Sequence, residues 1–490
     1  MTNYLRYLRK LPAFIYGTLC ICAILVWTAV AILTLPFYFL FRVFKWTQAA
    51  VVSYYKLGLI LASEDVPFLH ESVTNRNFIN GLFVINGKPD IDKLRALVME
   101  RVICNAEPSY ARMKKRVVKK YGRYVWQDED EFDISRHVKF YDGPFPCNEE
   151  ELKAILGELS SEPMPEDISP WMFQVMSYNT SKEKFAICIR IHHALGDGFA
   201  LVGLIARLVD RKPELLRVQK PVPTPCEKQK GLWKTLLTGP LALLSVAIAS
   251  STNNPLLVKK MSGEKCFAWT KPLDLALVKA IKLRTGTTVN DVLSACLAGA
   301  LRRYLKSEGL DEPGDMQIAV SINTRSPHKL SRESIPLENH TTGILWSLPV
   351  GTDDPVQRIY ETKTRMDDMK TSSDWKIFGF IFNYVVGNLP EFLGRFSSYS
   401  LSRHCCLILS NVPGPLSSLE MSGNEVETVI AWPPLMSDTS MSVAVFSYAG
   451  TLRMSVMTDK AVMSDPSILT EHFIAEFNEM QHRVMASCGR

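Results

Sequence analysis

The chain lacks the spacings that carry several common chemistries. It has no GxSxG turn to expose a nucleophilic serine, no Gly-Lys-Thr loop to cradle phosphates, and no cysteine and histidine spacing suited to zinc. A serine hydrolase, a nucleotide hydrolase and a zinc enzyme are therefore disfavoured. The 11 cysteines form no CxxC pair, and only Cys405 and Cys406 are neighbours. An odd, scattered set reads as reduced thiols facing the cytosol, not as a secreted disulfide scaffold. Charge imbalance is also slight: 56 Lys and Arg against 50 Asp and Glu leave +6, which by itself argues for no nucleic-acid partner. At 490 residues there is length for two to three domains with large cores.

Charge is missing altogether from Leu11 to Phe41. That run of about 30 residues exceeds the roughly 20 needed to cross a bilayer as a helix, and it is too long for the apolar part of a cleaved signal. It predicts an uncleaved membrane anchor. Arg6, Arg9 and Lys10 precede it and Arg42, Lys45 and Lys56 follow, so the charges permit either a tilted span or a shallow hairpin bent near Pro36.

What the chain does have is concentrated between Lys184 and Val209, KFAICIRIHHALGDGFALVGLIARLV. Lys184 to Ile191 reads as a buried strand. Two histidines follow, then a turn with Gly196 and Gly198, then Phe199, Val202, Ile205, Leu208 and Val209 at helical spacing. His192, His193 and Asp197 thus sit where a strand ends and a helix begins, on a loop held by rigid elements. Imidazole can take and return a proton near neutral pH, an acid beside it can orient a neighbour or tie the loop down, and glycine permits close approach of a ligand.

Elsewhere, Phe78 to Ile85 reads as a strand, and Ile91 to Val102 has helical spacing. In SYARMKKRVVKKYGRYVWQDEDEF, the bases Arg112, Arg116, Lys119, Lys120 and Arg123 are expected on one helical face, either solvated or meeting phosphates. Prolines 213, 221, 223 and 225 mark a crossover linker, within which Leu236 to Ala249 is too short to span a bilayer and reads as interfacial or buried. Thr288 and Asp291 have the form of a capping box opening a helix. Lys376 to Phe392 is an amphiphilic run whose aromatics suit a membrane interface, an acyl tunnel or plain core packing. Ser442 to Thr458 reads as a hairpin turning at Ala449 and Gly450, and a last helix begins at Pro466.

HHALGDG resembles the HHxxxDG signature of chloramphenicol acetyltransferase-like acyltransferases. With Asn290-Asp291, NHTTGILWSLPV, LILSNVPGPLSSLEMSGNEV and SVAVFSYAGTLRMSVMTD, the chain is similar to the wax ester synthase/diacylglycerol acyltransferase family from about Asp65 onward. The resemblance implies an α/β fold of two chloramphenicol acetyltransferase-like sandwich domains behind the anchor. The expected divisions are 1–60 for the anchor, 61–210 for the histidine-motif domain, 211–265 for the linker and 266–490 for the second domain.

It also implies acyl-CoA as co-substrate, a long-chain alcohol or diacylglycerol as acceptor, and no resident cofactor or metal. His193 would be the general base and Asp197 its catalytic partner. His192, Gly198, Asn290, Asp291 and Arg325 would support the site, Arg325 by pairing with Asp197, with Arg190 as the competing partner. His340 has no assigned role. The expected location is the endoplasmic reticulum facing the cytosol, with the plasma membrane as the alternative. Two other functions stay open: a glycerolipid acyltransferase using a His192 and Asp197 dyad, and a non-catalytic lipid-binding protein.

Overall fold

The computed structural model describes residues 11–104, 107–179, 183–211, 237–241, 256–257, 260–325, 335–372 and 374–486. Most of the expected linker, and the apolar run 236–249 apart from 237–241, lie outside the described residues.

Strand Glu183–His192 lies inside a six-stranded sheet, antiparallel to Phe78–Asn86 on one side and to Trp171–Asn179 on the other. Burial on both faces explains why its sequence is apolar without alternation. Phe185, Ile187, Ile189 and Ile191 enter one core, while Ala186 and Cys188 point the opposite way, toward helix Glu149–Ser161 and toward Phe267 and Trp269 of a second sheet.

The second sheet runs, in spatial order, Thr341–Leu348, Met316–Asn323, Leu407–Val412, Met441–Tyr448, Thr451–Asp459 and Lys265–Trp269. Helices Val289–Ser307 and Ser467–Ala486 pack on it, the latter burying Leu469, Phe473, Phe477, Met480 and Val484. The capping box is formed: Asp291 N–H donates to Thr288 Oγ1, and Thr288 N–H donates to Asp291 Oδ2. The hairpin turns at Ala449 and Gly450, both with positive φ.

Two expectations change. Leu419–Met421 and Asn424–Trp432, expected within a second domain at 266–490, hydrogen-bond into the first sheet, Asn424–Trp432 directly beside Phe78–Asn86. The cause is burial. Val426 and Val429 join the core under the histidine strand, while Trp432 packs edge-on against Phe267 at 5.0 Å where the two sheets abut.

The basic stretch is not a helical face. After a short 3-10 turn at Pro108–Lys114 it forms the hairpin Lys115–Lys120 and Arg123–Asp128, turning at Tyr121 (φ 48) and Gly122 (φ 75). Adjacent β-branched residues Val117 and Val118 and a turn with two positive φ values favour strands, and this outweighs the helical spacing of the charges. Lys115 pairs with Asp128 at 2.5 Å and Arg116 with Asp130 at 3.3 Å.

From Ala13 onward the uncharged N-terminal run lies in one helix, Ala13–Tyr54, which is long and apolar enough to cross a membrane. It continues through Pro36, so no hairpin bend forms there. At 1.5 Å per residue it extends about 63 Å, twice the roughly 30 Å bilayer core. Its last turns lie on the folded body, where Val52 is fully buried.

Candidate active site

The strand ends at His192, where Leu195 N–H turns back to the His192 carbonyl at 3.0 Å, and the His192 ring is consumed by the fold. Its Nδ1 accepts from Ala194 N–H at 3.0 Å, which leaves the proton on Nε2, and Nε2 donates to Glu71 at 2.9 Å. Burial works to raise the pKa of Glu71, yet His192 and Asn77 N–H hold it below the ordinary value. His192 therefore fixes the loop by clamping both of its own nitrogens.

His193 has the opposite character. Its main chain is tied, N–H to Asn77 carbonyl at 2.8 Å and carbonyl to the Asn339 amide at 2.8 Å, while its ring stacks on Phe68 with centroids 3.7 Å apart. Nδ1 is buried without a hydrogen-bond partner. Burial pushes the ring's pKa down to about 4, offset only in part by the charge of Asp197, the residue's own carbonyl and Asn339. At neutral pH the imidazole is uncharged and held by stacking, with its orientation set by the backbone.

Asp197 is the N-cap of helix Gly198–Leu208. Oδ1 accepts from Phe199 and Ala200 N–H at 3.1 and 3.0 Å, and Oδ2 accepts from Arg325 Nη1 and His340 N–H, both at 2.8 Å. Arg325 also donates to the Glu338 carbonyl at 2.8 Å. Asp197 thus joins the histidine loop to two strands of the second sheet and acts on His193 through charge and loop position. Arg190 is committed elsewhere, to the Glu162 carbonyl at 2.6 Å.

Behind His193, Asn339 also donates to Asp65 at 2.8 Å, and Asp65 faces Arg112 at 3.4 Å. Burial raises the pKa of Asp65 against the pull of Arg112 and Asn339. Arg112 donates to the carbonyls of Ala194 and Leu195, within the histidine loop itself. At Gly198 an added methyl would meet only Val412, at an ordinary 3.4 Å, so the protein's own packing does not demand glycine there.

Two openings lie elsewhere between and beside the sheets, and no residue of the histidine loop lines either. One of about 320 Å³ lies between the sheets, lined by Phe78, Asn80, Ser161, Lys265 and Met457, and Phe78 touches the His192 ring. The other, about 70 Å³, lies under helix Val289–Ser307 with Asn290 and Asn411 on its wall. The Asn411 amide donates to Asn290 Oδ1. Asp291 is fully buried in its cap.

Residues 65–251 match the wax ester synthase/diacylglycerol acyltransferase catalytic domain, and residues 337–481 match the WS/DGAT C-terminal domain. The chain belongs to the wax ester synthase/diacylglycerol acyltransferase family. As a member of that family it is an acyltransferase. It is 26% identical over 406 residues to a Mycobacterium tuberculosis protein named diacylglycerol O-acyltransferase, covering 74% of this chain and 82% of the relative. A second M. tuberculosis protein of that name, from strain H37Rv, is 27% identical over 384 residues, 70% of this chain and 73% of the relative.

Among solved structures, the wax ester synthase/diacylglycerol acyltransferase of Marinobacter aquaeolei VT8 shares the fold with a TM-score of 0.63 at 19% identity, over 87% of this chain and all of that one. The starter condensation domain of rhizomide synthetase does so at 0.54 and 12%, over 89% and 96%. The expected α/β fold of two chloramphenicol acetyltransferase-like domains with an apolar N-terminal helix is thus the one observed.

Within the WS/DGAT fold, His192, His193, Asp197, Gly198 and Arg325 converge at one joint between the sheets. Asn290 and Asp291 stand on the neighbouring helix, and neither is bonded to the histidine loop. His340 contributes its backbone N–H to Asp197, and its ring meets Glu338 at 2.9 Å. Asp65, Phe68, Glu71, Arg112 and Asn339 hold the loop; of these, Asn339 opens the segment NHTTGILWSLPV and Arg112 lies in the basic stretch, while Asp65, Phe68 and Glu71 belong to no motif. Among the described residues no group of three or more His, Cys, Asp or Glu could hold a metal.

Proposed function

We propose that the protein is a membrane-bound O-acyltransferase that moves a fatty acyl group from acyl-CoA to a lipid hydroxyl. The acceptor is a long-chain alcohol, giving a wax ester, or diacylglycerol, giving triacylglycerol. The observation that carries this reading is the division of labour between the two histidines. His192 spends both nitrogens on the fold, whereas the neutral His193 ring is held by stacking.

In this mechanism His193 removes the proton from the bound alcohol as its oxygen attacks the thioester carbonyl. The carbon–sulfur bond then breaks, and the imidazolium returns the proton to the leaving thiolate. A positioned alcohol beside a bound thioester gains from proximity, so no acyl-enzyme is required. Asp197 and Arg325 position the loop, and Gly198 leaves room beside it for the pantetheine arm. Asn290 is the candidate donor to the oxyanion from the second domain. No resident cofactor is needed.

The names of the mycobacterial and Marinobacter relatives support lipid acceptors, and helix Ala13–Tyr54 supports attachment to a bilayer. An endoplasmic reticulum membrane, with the folded body on the side of the cytosolic acyl-CoA pool, suits both substrates. A His192 and Asp197 dyad has no support, since His192 is bonded to Glu71 and both oxygens of Asp197 are taken. Purified His193→Ala in detergent should lose roughly 100- to 10,000-fold in acyl transfer to hexadecanol or dioleoylglycerol while still unfolding cooperatively, at a somewhat lower temperature because the buried ring leaves a cavity beside Phe68. Substantial activity in the folded variant, or transfer by the parent protein to lysophosphatidate alone, defeats the proposal.

A further inference from the structure

Residues 374–402 are built inside out for a protein in water. In helix Glu391–Ser402, Gly394, Ser398 and Ser402 are buried, while Phe392 and Phe396 are 70% and 66% exposed, with Leu393 and Tyr399 beside them. Helix Asp374–Phe380 and the turn Ile381–Val385 repeat the pattern: Asp374, Gly379 and Asn383 face inward, and Phe380 and Tyr384 are 60% and 53% exposed. Ser467–Ala486 does the reverse, burying its phenylalanines. Six large apolar or aromatic side chains aimed outward from neighbouring turns form a patch of the kind that meets another apolar phase.

The patch is continuous with the apolar N-terminal helix. Residues 237–241 link the two, because Trp27 donates to the Pro240 carbonyl at 3.0 Å and Gly239 lies against Ile377. Farther along, Lys45 borders the same small cavity as Gly387, Leu389 and Glu391. The patch also reaches the base: Phe382 packs edge-on against Phe68 at 5.7 Å, and Phe68 stacks on His193.

We propose that residues 374–402 are a second membrane contact, seated in a lipid leaflet beside helix Ala13–Tyr54, and that they bring the acceptor to His193 past Phe382. The occupant is the acyl region of a leaflet, and the proposal rests on the membrane-bound reading above.

The test places the photoreactive p-benzoylphenylalanine singly at Phe392, Phe396, Leu25 and Leu283 of the full chain, in nanodiscs of phosphatidylcholine and phosphatidylserine at about 3:1. Leu25 reports the anchor, and Leu283 is an exposed control on another helix, Leu275–Thr285. Lipid adducts at 392 and 396, at least tenfold above 283, are expected. Adducts at 25 but none at 392 and 396 overturn the contact and spare the anchor; adducts at 392 and 396 without 25 do the reverse; none at any position overturns both. For delivery, Phe392→Asp with Phe396→Asp should lower transfer to vesicle-embedded hexadecanol at least tenfold and leave transfer to water-soluble hexanol within twofold. An equal effect on the two alcohols, including none, overturns the delivery role.

Discussion

A histidine whose burial lowers its pKa to about 4 is a base that stays available in acid. The neutral ring is the reactive form, so with His193 as base the acid limb of kcat/KM should break near pH 4, well below the 6.5 of a solvated imidazole. Rapid assays after a pH jump would measure it, and a break at 6.5 would mean that the working ring is solvated. The linked stability has the same sign. The unfolded chain binds the proton near 6.5 and the folded one only near 4, so stability present above pH 6.5 is lost as pH falls toward 4. Arg325 gives a second prediction. Arg325→Gln leaves the buried Asp197 without its cation, which should cost on the order of 3–5 kcal/mol in urea unfolding, whereas a surface ion pair would cost under about 1. At this scale the sequence was legible where function packs polar residues into one run, as in HHALGDG. Asp65 and Glu71 were not, because each stands alone in the chain, and the partners of Arg112 and Asn339 were not, because those contacts form only across folds of the backbone.

Elements were legible where one period dominated. The alternating and apolar runs located the strands, and the stripe Leu469 to Val484 located the last helix. The basic stretch misled because lysines and arginines satisfy a helical count without packing on anything; the Val-Val pair and the Tyr-Gly turn decided its shape. Close approach between elements is invisible to such patterns. Helix Glu149–Ser161 lies so near the edge strand of the second sheet that a Cβ on Gly157 would stand 2.4 Å from the Lys265 carbonyl oxygen. Backbone meets backbone there, so no side chain can yield. Gly157→Ala should therefore destabilise the protein by about 1–3 kcal/mol despite alanine's better helix propensity. Gly343→Ala, with nothing within 4 Å of the added methyl, is the control and should shift thermal unfolding far less.

For the whole molecule the decisive fact is that chain order and sheet order disagree. A reading along the sequence places a boundary at the proline-rich linker, and composition offers no reason to send residues 419–432 back across it. The return is long-range: Asn424–Trp432 pairs with Phe78–Asn86 more than 300 residues away, and its neighbours Phe446 and Tyr448 reach into the same core beneath the histidine strand. Without that strand, Phe78–Asn86 becomes an edge with open hydrogen-bonding groups and an uncovered apolar face, which favours aggregation. Cutting the chain in the linker should therefore give two pieces that do not behave as domains. Residues 1–250 and 251–490 expressed separately should be aggregated or unfolded. The two expressed together should co-purify and recover measurable acyl transfer, because the joint that holds His193 and Arg325 is assembled from both. A soluble, cooperatively melting 1–250 fragment would mean that the first sheet closes by itself, and the site would then have to be regarded as belonging to one domain.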